Sequence, residues 1–408
     1  MILTLLSAAQ FLLALDYSIV YVALPGIARD LDLDLAAAQW VVSAYAVPFA
    51  GFLLLGGRLA DRLGPGRLFL GATLLFGAAS AAGGLAAGGA VLLAARGVQG
   101  VAAALLQPAI LGLLGSRFPA GPARTRALSV WGAVGASGLA AGVILGGVLT
   151  RYTWRWTFLV NVPVTLACTA GAAAWLLSAT RAGRAEPGPL APALLGTGAA
   201  LGASLGLTLG GPPGWALVAL AAVLLALTRP PGPRSLRVGA AAAALYMASV
   251  GSEFYVVTLM LQDRDGYSPL RAGLAFVPLA AMVTLGSSLT GRLVRRFGAP
   301  RTLAGGFALA ALGLAWLAVT AQPALLISGL AHGIVYTSMF NVGSRDVPAA
   351  QQSSAGAVMT TAQYLAGAVA VAALTLPLRH GAYGPAFWAT AAAAAAGALV
   401  ALRRPAGD

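Results

Sequence analysis

The string GRLADRLGPGR, residues 57–67, returns in altered form as GRLVRRFGAPR at residues 291–301. Six of the eleven positions are identical: glycine, arginine, leucine, arginine, glycine and arginine, in the same order. In each copy one long apolar segment runs into the string and another runs out of it. A short basic turn between two hydrophobic helices, repeated in the second half of the chain, predicts two related helical bundles. Internal repeats of this kind characterise membrane proteins that rock one bundle against the other around a central site.

Composition supports the membrane reading. The 408-residue chain is 59% hydrophobic and 9% charged, whereas an ordinary soluble domain carries about 25% charged residues. Apolar runs of about 20 residues, long enough to cross a bilayer core, follow one another from end to end. Backbone groups in lipid must be satisfied within their own segment, so these runs are expected to be helices. The ten-residue alternation of a membrane β-barrel is not present. The expected fold class is all-α integral membrane, with two pseudo-symmetric six-helix bundles plus two inserted helices. Its fourteen spans are placed near 2–24, 39–59, 68–89, 91–115, 127–150, 157–178, 190–210, 214–228, 238–261, 271–291, 302–320, 323–342, 353–376 and 384–402. The short segment 214–228 is the critical one. If it did not cross, 190–210 could not cross either, leaving twelve helices and a surface hairpin. The domain plan is an N-terminal bundle at 1–180, a linker with two extra helices at 181–236, and a C-terminal bundle at 237–408. The Pro/Gly-rich stretches around 186–192 and 229–234 read as linkers.

The net charge of +14 rests on 25 basic residues, all of them arginine. They are scattered through loops, not gathered into one patch, which argues against nucleic acid. With the N-terminus inside, 18 arginines fall in cytoplasmic segments, and Arg181, Arg184, Arg229, Arg403 and Arg404 are among them. Six fall outside: Arg29, Arg151, Arg155, Arg264, Arg271 and Arg379. Basic loops favour the cytoplasm, so both termini are expected there, in the plasma membrane of a prokaryote. Met1 leads almost directly into an apolar run, but Asp16 interrupts it and no small-residue cleavage site follows. That start reads as an uncleaved first helix. Cys168 is the only cysteine, which excludes an intramolecular disulfide.

Four ionisable residues lie well inside apolar spans: Asp16, Arg96, Glu253 and His332. A charge at mid-bilayer costs about 2.5–3.5 kcal/mol on insertion scales, so such residues face a cavity or a partner. Sliding one half over the other places DYSIVYVAL (16–24) on EFYVVTLML (253–261), which makes Asp16 and Glu253 pseudo-symmetric carboxylates. Desolvation disfavours the charged form of a buried carboxylate and suits it to proton coupling. Recognition of a cationic substrate, or a plain ion pair with Arg96, are the other readings. His332 is a candidate proton relay or a packing residue. Gln99, Gln107, Asn161 and Gln363 are uncharged candidates for a cavity wall or for interhelical bonding. In the repeated turn, Gly57 and Gly64 permit close approach, Asp61 and Arg62 are placed for a gating salt bridge, and Arg67 closes the string. The run GLAAGVILGG offers Gly138, Gly142, Gly146 and Gly147 for helix packing.

These residues carry a resemblance. LDYSIVYVALP at 15–25, GRLADRLGPGR, ARGVQG at 95–100, WRWTFLVNVP at 154–163 and GYSPLRAGLAFVP at 266–278 resemble, in order, motifs of the major facilitator superfamily, and specifically its fourteen-helix drug:proton antiporters. The resemblance implies a cavity lined by the first and fourth helix of each bundle, the helices that carry Asp16, Arg96, Glu253 and His332. The chain departs from the pattern at Tyr21, usually Asn, at Val143, usually Pro, and at Arg295, commonly Asp.

The function expected is proton-coupled export of lipophilic, including cationic, small molecules by alternating access. A symporter or facilitator importing a small solute is the nearest alternative, and a non-transporting membrane receptor a more distant one. No clustered metal ligands or nucleophile triad points to an enzyme. The expected partners are a small-molecule substrate, protons and the bilayer, with no metal or cofactor, no nucleic acid and a monomeric state.

Overall fold

The computed structural model describes residues 2–175, 190–227, 232–267, 269–319, 323–378 and 381–402. Arg181, Arg184, Arg229, Arg379, Arg403 and Arg404, and parts of both linker stretches, lie outside the described residues. The described chain is all helix and turn, in fourteen spans. The first six are α1 (Ile2–Asp30), α2 (Leu35–Leu63), α3 (Pro65–Gly84), α4 (Gly89–Arg117), α5 (Pro122–Leu149) and α6 (Trp156–Ala174). The inserted pair is α7 (Ala191–Leu209) and α8 (Gly211–Leu227). Then come α9 (Arg234–Arg264), α10 (Arg271–Phe297), α11 (Ala299–Leu317), α12 (Pro323–Gly343), α13 (Gln352–Leu378) and α14 (Tyr383–Leu402).

Thirteen of these spans are at least 18 residues long and apolar enough to cross a membrane. The fourteenth, α8, has 17 residues, a length of about 26 Å at the helical rise. It folds back on α7, where Gly206 and Gly214 meet backbone to backbone. α7 in turn packs on α2, with Leu201 filling the notch at Gly51 and Leu54 the notch at Gly196.

The two repeated turns are built alike. Gly64 has φ of 91° and Gly298 a φ of 81°, a region that side chains avoid, and each is followed by a helix with proline in its first turn. Glycine supplies the left-handed bend and proline starts the next helix. The spacing of the two strings therefore marks two equivalent hairpins, α2–α3 and α10–α11.

The chain divides into two compact units that interlace in sequence. The first holds Met1–Arg117, Ser137–Pro230 and Pro348–Thr361. The second holds Phe118–Ala136, Pro231–Val347 and Ala362–Asp408. In the first unit Gly100 of α4 presses on the carbonyl of Tyr45 and Gly56 of α2 on that of Ala104. In the second, Gly333 of α12 presses on the carbonyl of Val283 and Gly286 of α10 on that of Leu330. The same close crossing of second and fourth helix is thus made twice, and it fixes the helices that carry Arg96 and His332.

Candidate functional site

In the first unit, Asp16 of α1 is fully buried and lies 2.8 Å from the Nη1 of Arg96. The guanidinium also donates to the Val41 carbonyl at 3.0 Å and to Gln99 Oε1 at 3.1 Å. Gln99 Nε2 donates to Asp16 Oδ1 at 3.2 Å and to Ser80 at 2.8 Å, and Asn161 Nδ2 donates to Asp16 Oδ1 at 2.7 Å. Tyr45 places its ring 4.3 Å from the Arg96 guanidinium carbon. Five helices, α1, α2, α3, α4 and α6, meet in this knot. A buried ion pair offsets its desolvation only when its remaining donors and acceptors are matched, as they largely are here. Of the sequence candidates, Asp16, Arg96, Gln99 and Asn161 are brought together. Gln107 and Gln363 are buried elsewhere and make no bond to the knot.

Glu253 and His332 lie in the second unit, in a different setting. Glu253 of α9 is 1% exposed, and its Oε2 accepts a hydrogen bond from Ser328 of α12. Its Oε1 has no protein partner among the described residues. One turn along α12, His332 Nε2 is hydrogen-bonded to the hydroxyl of Tyr246, also on α9. The His332 ring meets those of Tyr246 and Phe254 edge-on, at 4.9 and 5.9 Å between centroids. Ser328 and Tyr246 were not among the sequence candidates. Ser328 stands four residues before His332, and that spacing is the one signal that could have found it.

The glycine run of α5 lies against α1. A Cβ on Gly138 would meet the Phe11 carbonyl at 2.8 Å, one on Gly142 the Leu15 carbonyl at 2.8 Å, and one on Gly146 the Val22 side chain at 3.0 Å. Gly147 is one residue off that face and only half-buried.

At the repeated turn of the first unit, Gly57 lies close under Ser353, Ser354 and Ala357 of α13. Asp61 Oδ2 accepts the backbone N–H of Ser354 at 3.1 Å, in the first turn of α13. A carboxylate there satisfies a free helix-end donor and complements the positive end of the helix dipole. The hydrogen-bond partner of Asp61 in this structure is the start of α13. Arg67, like Arg295 in the other copy, is exposed. Beyond the far end of α9, the Arg264 guanidinium beside Asp265 holds that carboxyl below the usual range.

The family model of the Major Facilitator Superfamily matches residues 6–371. The chain belongs to this superfamily. Major facilitators move small molecules across membranes by conformational change, so the protein is a transporter and not an enzyme. It is 37% identical over 406 residues to the puromycin resistance protein of Streptomyces alboniger, covering 91% of this chain and 80% of that one. It is 36% identical over 407 residues to the cephamycin export protein of Amycolatopsis lactamdurans, with 91% and 83% covered. Among solved structures, the human organic anion transporter MFSD10 superposes with a TM-score of 0.77 at 14% identity, covering 98% of each chain. FucP in its outward conformation does so with a TM-score of 0.72 at 15% identity, covering 98% and 97%. These two likenesses establish the fold. Bacterial relatives and the helix bundle make this major facilitator a multi-pass protein of a prokaryotic plasma membrane.

Proposed function

We propose that this major facilitator exports lipophilic, including cationic, small molecules in exchange for protons, with Glu253 as the carboxylate that is loaded and unloaded. The observation that carries this reading is the contrast between its two buried acids. Asp16 is held by Arg96, Gln99 and Asn161, which makes its negative charge part of the packing. Glu253 is as deeply buried and has Ser328 as its one hydrogen-bond partner, with no cation in contact among the described residues. An unpaired charge so placed costs several kcal/mol, whereas the neutral acid does not. A positive substrate group can offset the charge, and so can a proton. The two then compete for one carboxylate, which is the requirement for exchange. The resistance and export proteins among its relatives support the outward direction.

In the proposed cycle, Glu253 takes a proton when the site is open to the outside and substrate leaves. When the site opens inward the proton is lost to the cytoplasm and a new substrate binds. Both termini are cytoplasmic, the working unit is a monomer, and Asp61 on the first turn of α13 is the latch released for inward opening. The test is transport in proteoliposomes with an imposed proton gradient, using puromycin and ethidium as probes. Glu253→Gln is expected to abolish gradient-driven accumulation of the probes and to weaken their exchange, because the neutral amide mimics the proton-loaded acid that no longer offsets a positive substrate. Gradient-driven transport at the wild-type rate in Glu253→Gln would refute the assignment.

A further inference from the structure

We propose that Tyr246 and His332 form a proton relay to Glu253, with Ser328 holding the carboxylate in line; this rests on Glu253 being the coupling acid. Glu253 is 1% exposed, so it does not trade a proton with water directly. Its one protein hydrogen bond comes from Ser328, and its second oxygen is an acceptor without a protein donor among the described residues. A buried acceptor of this kind is ordinarily met by an internal water.

Among the described residues the same two helices make a further polar contact, between the Tyr246 hydroxyl and His332 Nε2. Ser328 and His332 are four residues apart on α12 and so share a face, one turn from each other. Tyr246 precedes Glu253 by seven residues on α9, about two helical turns. Between them runs a π-helical turn, Met247–Gly251, whose Met247 carbonyl accepts from the Ser252 hydroxyl at 2.8 Å. Turns of that type insert an extra residue and are frequent at functional sites.

Accessibility then gives the pair a direction. Tyr246 is 3% exposed, whereas His332 is only partly buried, as is Tyr336 one turn further along α12. In the relay the proton enters at His332, the more accessible of the two. Its ring is steadied edge-on by Tyr246 and Phe254, which keeps Nε2 on the tyrosine hydroxyl. In loading, a proton from water binds Nδ1 of His332 as its Nε2 proton passes to the Tyr246 oxygen. The hydroxyl proton of Tyr246 moves to an intervening water, and one proton of that water moves to Glu253 Oε1. Each relay member gains one proton and gives one, so the only net change is protonation of Glu253. Transfer in reverse restores the first histidine tautomer.

A substrate-free measurement tests this. The purified full-length transporter in detergent micelles is subjected to a stopped-flow pH jump, and proton release is followed with a soluble indicator dye. Glu253→Gln is expected to lack the release phase. Tyr246→Phe and His332→Gln are expected to keep its amplitude and slow it by about tenfold or more. Heavy water should slow the wild-type phase more than that of the two relay variants. Tyr246→Phe removes one hydroxyl and keeps the ring, so it serves even if His332→Gln does not fold. Loss of the phase in Glu253→Gln with wild-type rates in both relay variants would overturn the relay and leave Glu253 as carrier. A phase that survives in Glu253→Gln would remove the carrier reading and the relay together.

Discussion

Asp16 and Glu253 overlie each other when the two halves of the chain are aligned, yet their surroundings give them opposite behaviour. Around Asp16 three side chains supply matched donors, and Arg96 is 1% exposed. Removing one partner of such a pair strands the other, at a cost of about 3–5 kcal/mol. Arg96→Leu is therefore expected to lower the thermal unfolding midpoint in detergent sharply. Glu253→Gln should hardly move it, because Gln keeps an acceptor for Ser328 and removes a charge with no cation in contact among the described residues. Equal loss of stability in both variants would mean that the two acids play the same role. The alignment made the pair legible in the sequence. It could not assign Arg96 to one of them, because that depends on which helices touch. Asp16, Arg96 and Asn161 are far apart along the chain and meet only through the crossings of α1, α4 and α6.

Two elements lend themselves to direct tests. Along α5, Gly138, Gly142 and Gly146 recur every four residues and let the backbone of α1 approach closely. A larger side chain has nowhere to go, and overpacking of this kind costs about 1–3 kcal/mol. Gly142→Val should destabilise the protein by that order, whereas Gly147→Val, beside the seam, should be close to neutral in the same thermal assay. The stripe was visible in the sequence, but all four glycines read alike there, and only the helix phase separated Gly147 from the others. The second element is the repeated turn. Asp61→Arg replaces an acceptor at the N-terminus of α13 with a cation, unfavourable both for the Ser354 N–H and for the helix dipole. Arg295 is exposed, so Arg295→Asp should leave transport far closer to wild type. Equal losses of probe efflux in the two variants would show that the turns contribute symmetrically. A gating salt bridge was the sequence expectation for Asp61. The structure adds a backbone donor at a helix terminus, a partner with no side-chain signature to read.

For the whole molecule, arginine placement assigns Arg295 and its turn to the cytoplasm and Asp32 to the outside. The single Cys168 is buried and simplifies the test. In a Cys168→Ser background, Asp32→Cys should react in intact cells with a membrane-impermeant maleimide, and Arg295→Cys should react only after the cells are opened. The reverse pattern would invert the topology and the direction of the proposed cycle with it. Export coupled to protons also requires that an uncoupler raise dye retention in cells carrying the transporter, with no such rise in cells carrying Glu253→Gln. The length of α8 belongs to this scale as well. At 17 residues it is marginal alone, and its packing on α7, itself seated on α2, makes the inserted pair one hairpin.

Hydrophobic length, basic turns and the repeat determined by themselves that the chain is a membrane transporter of two related halves, and which four residues are costly enough to matter. Those are local properties: a run of apolar side chains is long enough to span lipid wherever it later packs. Tertiary structure alone decided that Arg96 belongs to Asp16, that Glu253 has only Ser328 among the described residues, that Tyr246 meets His332, and that Asp61 meets the start of α13. Each of these is set by helix crossings and rotational phase between segments distant in sequence, and a buried charge takes its behaviour from its neighbours.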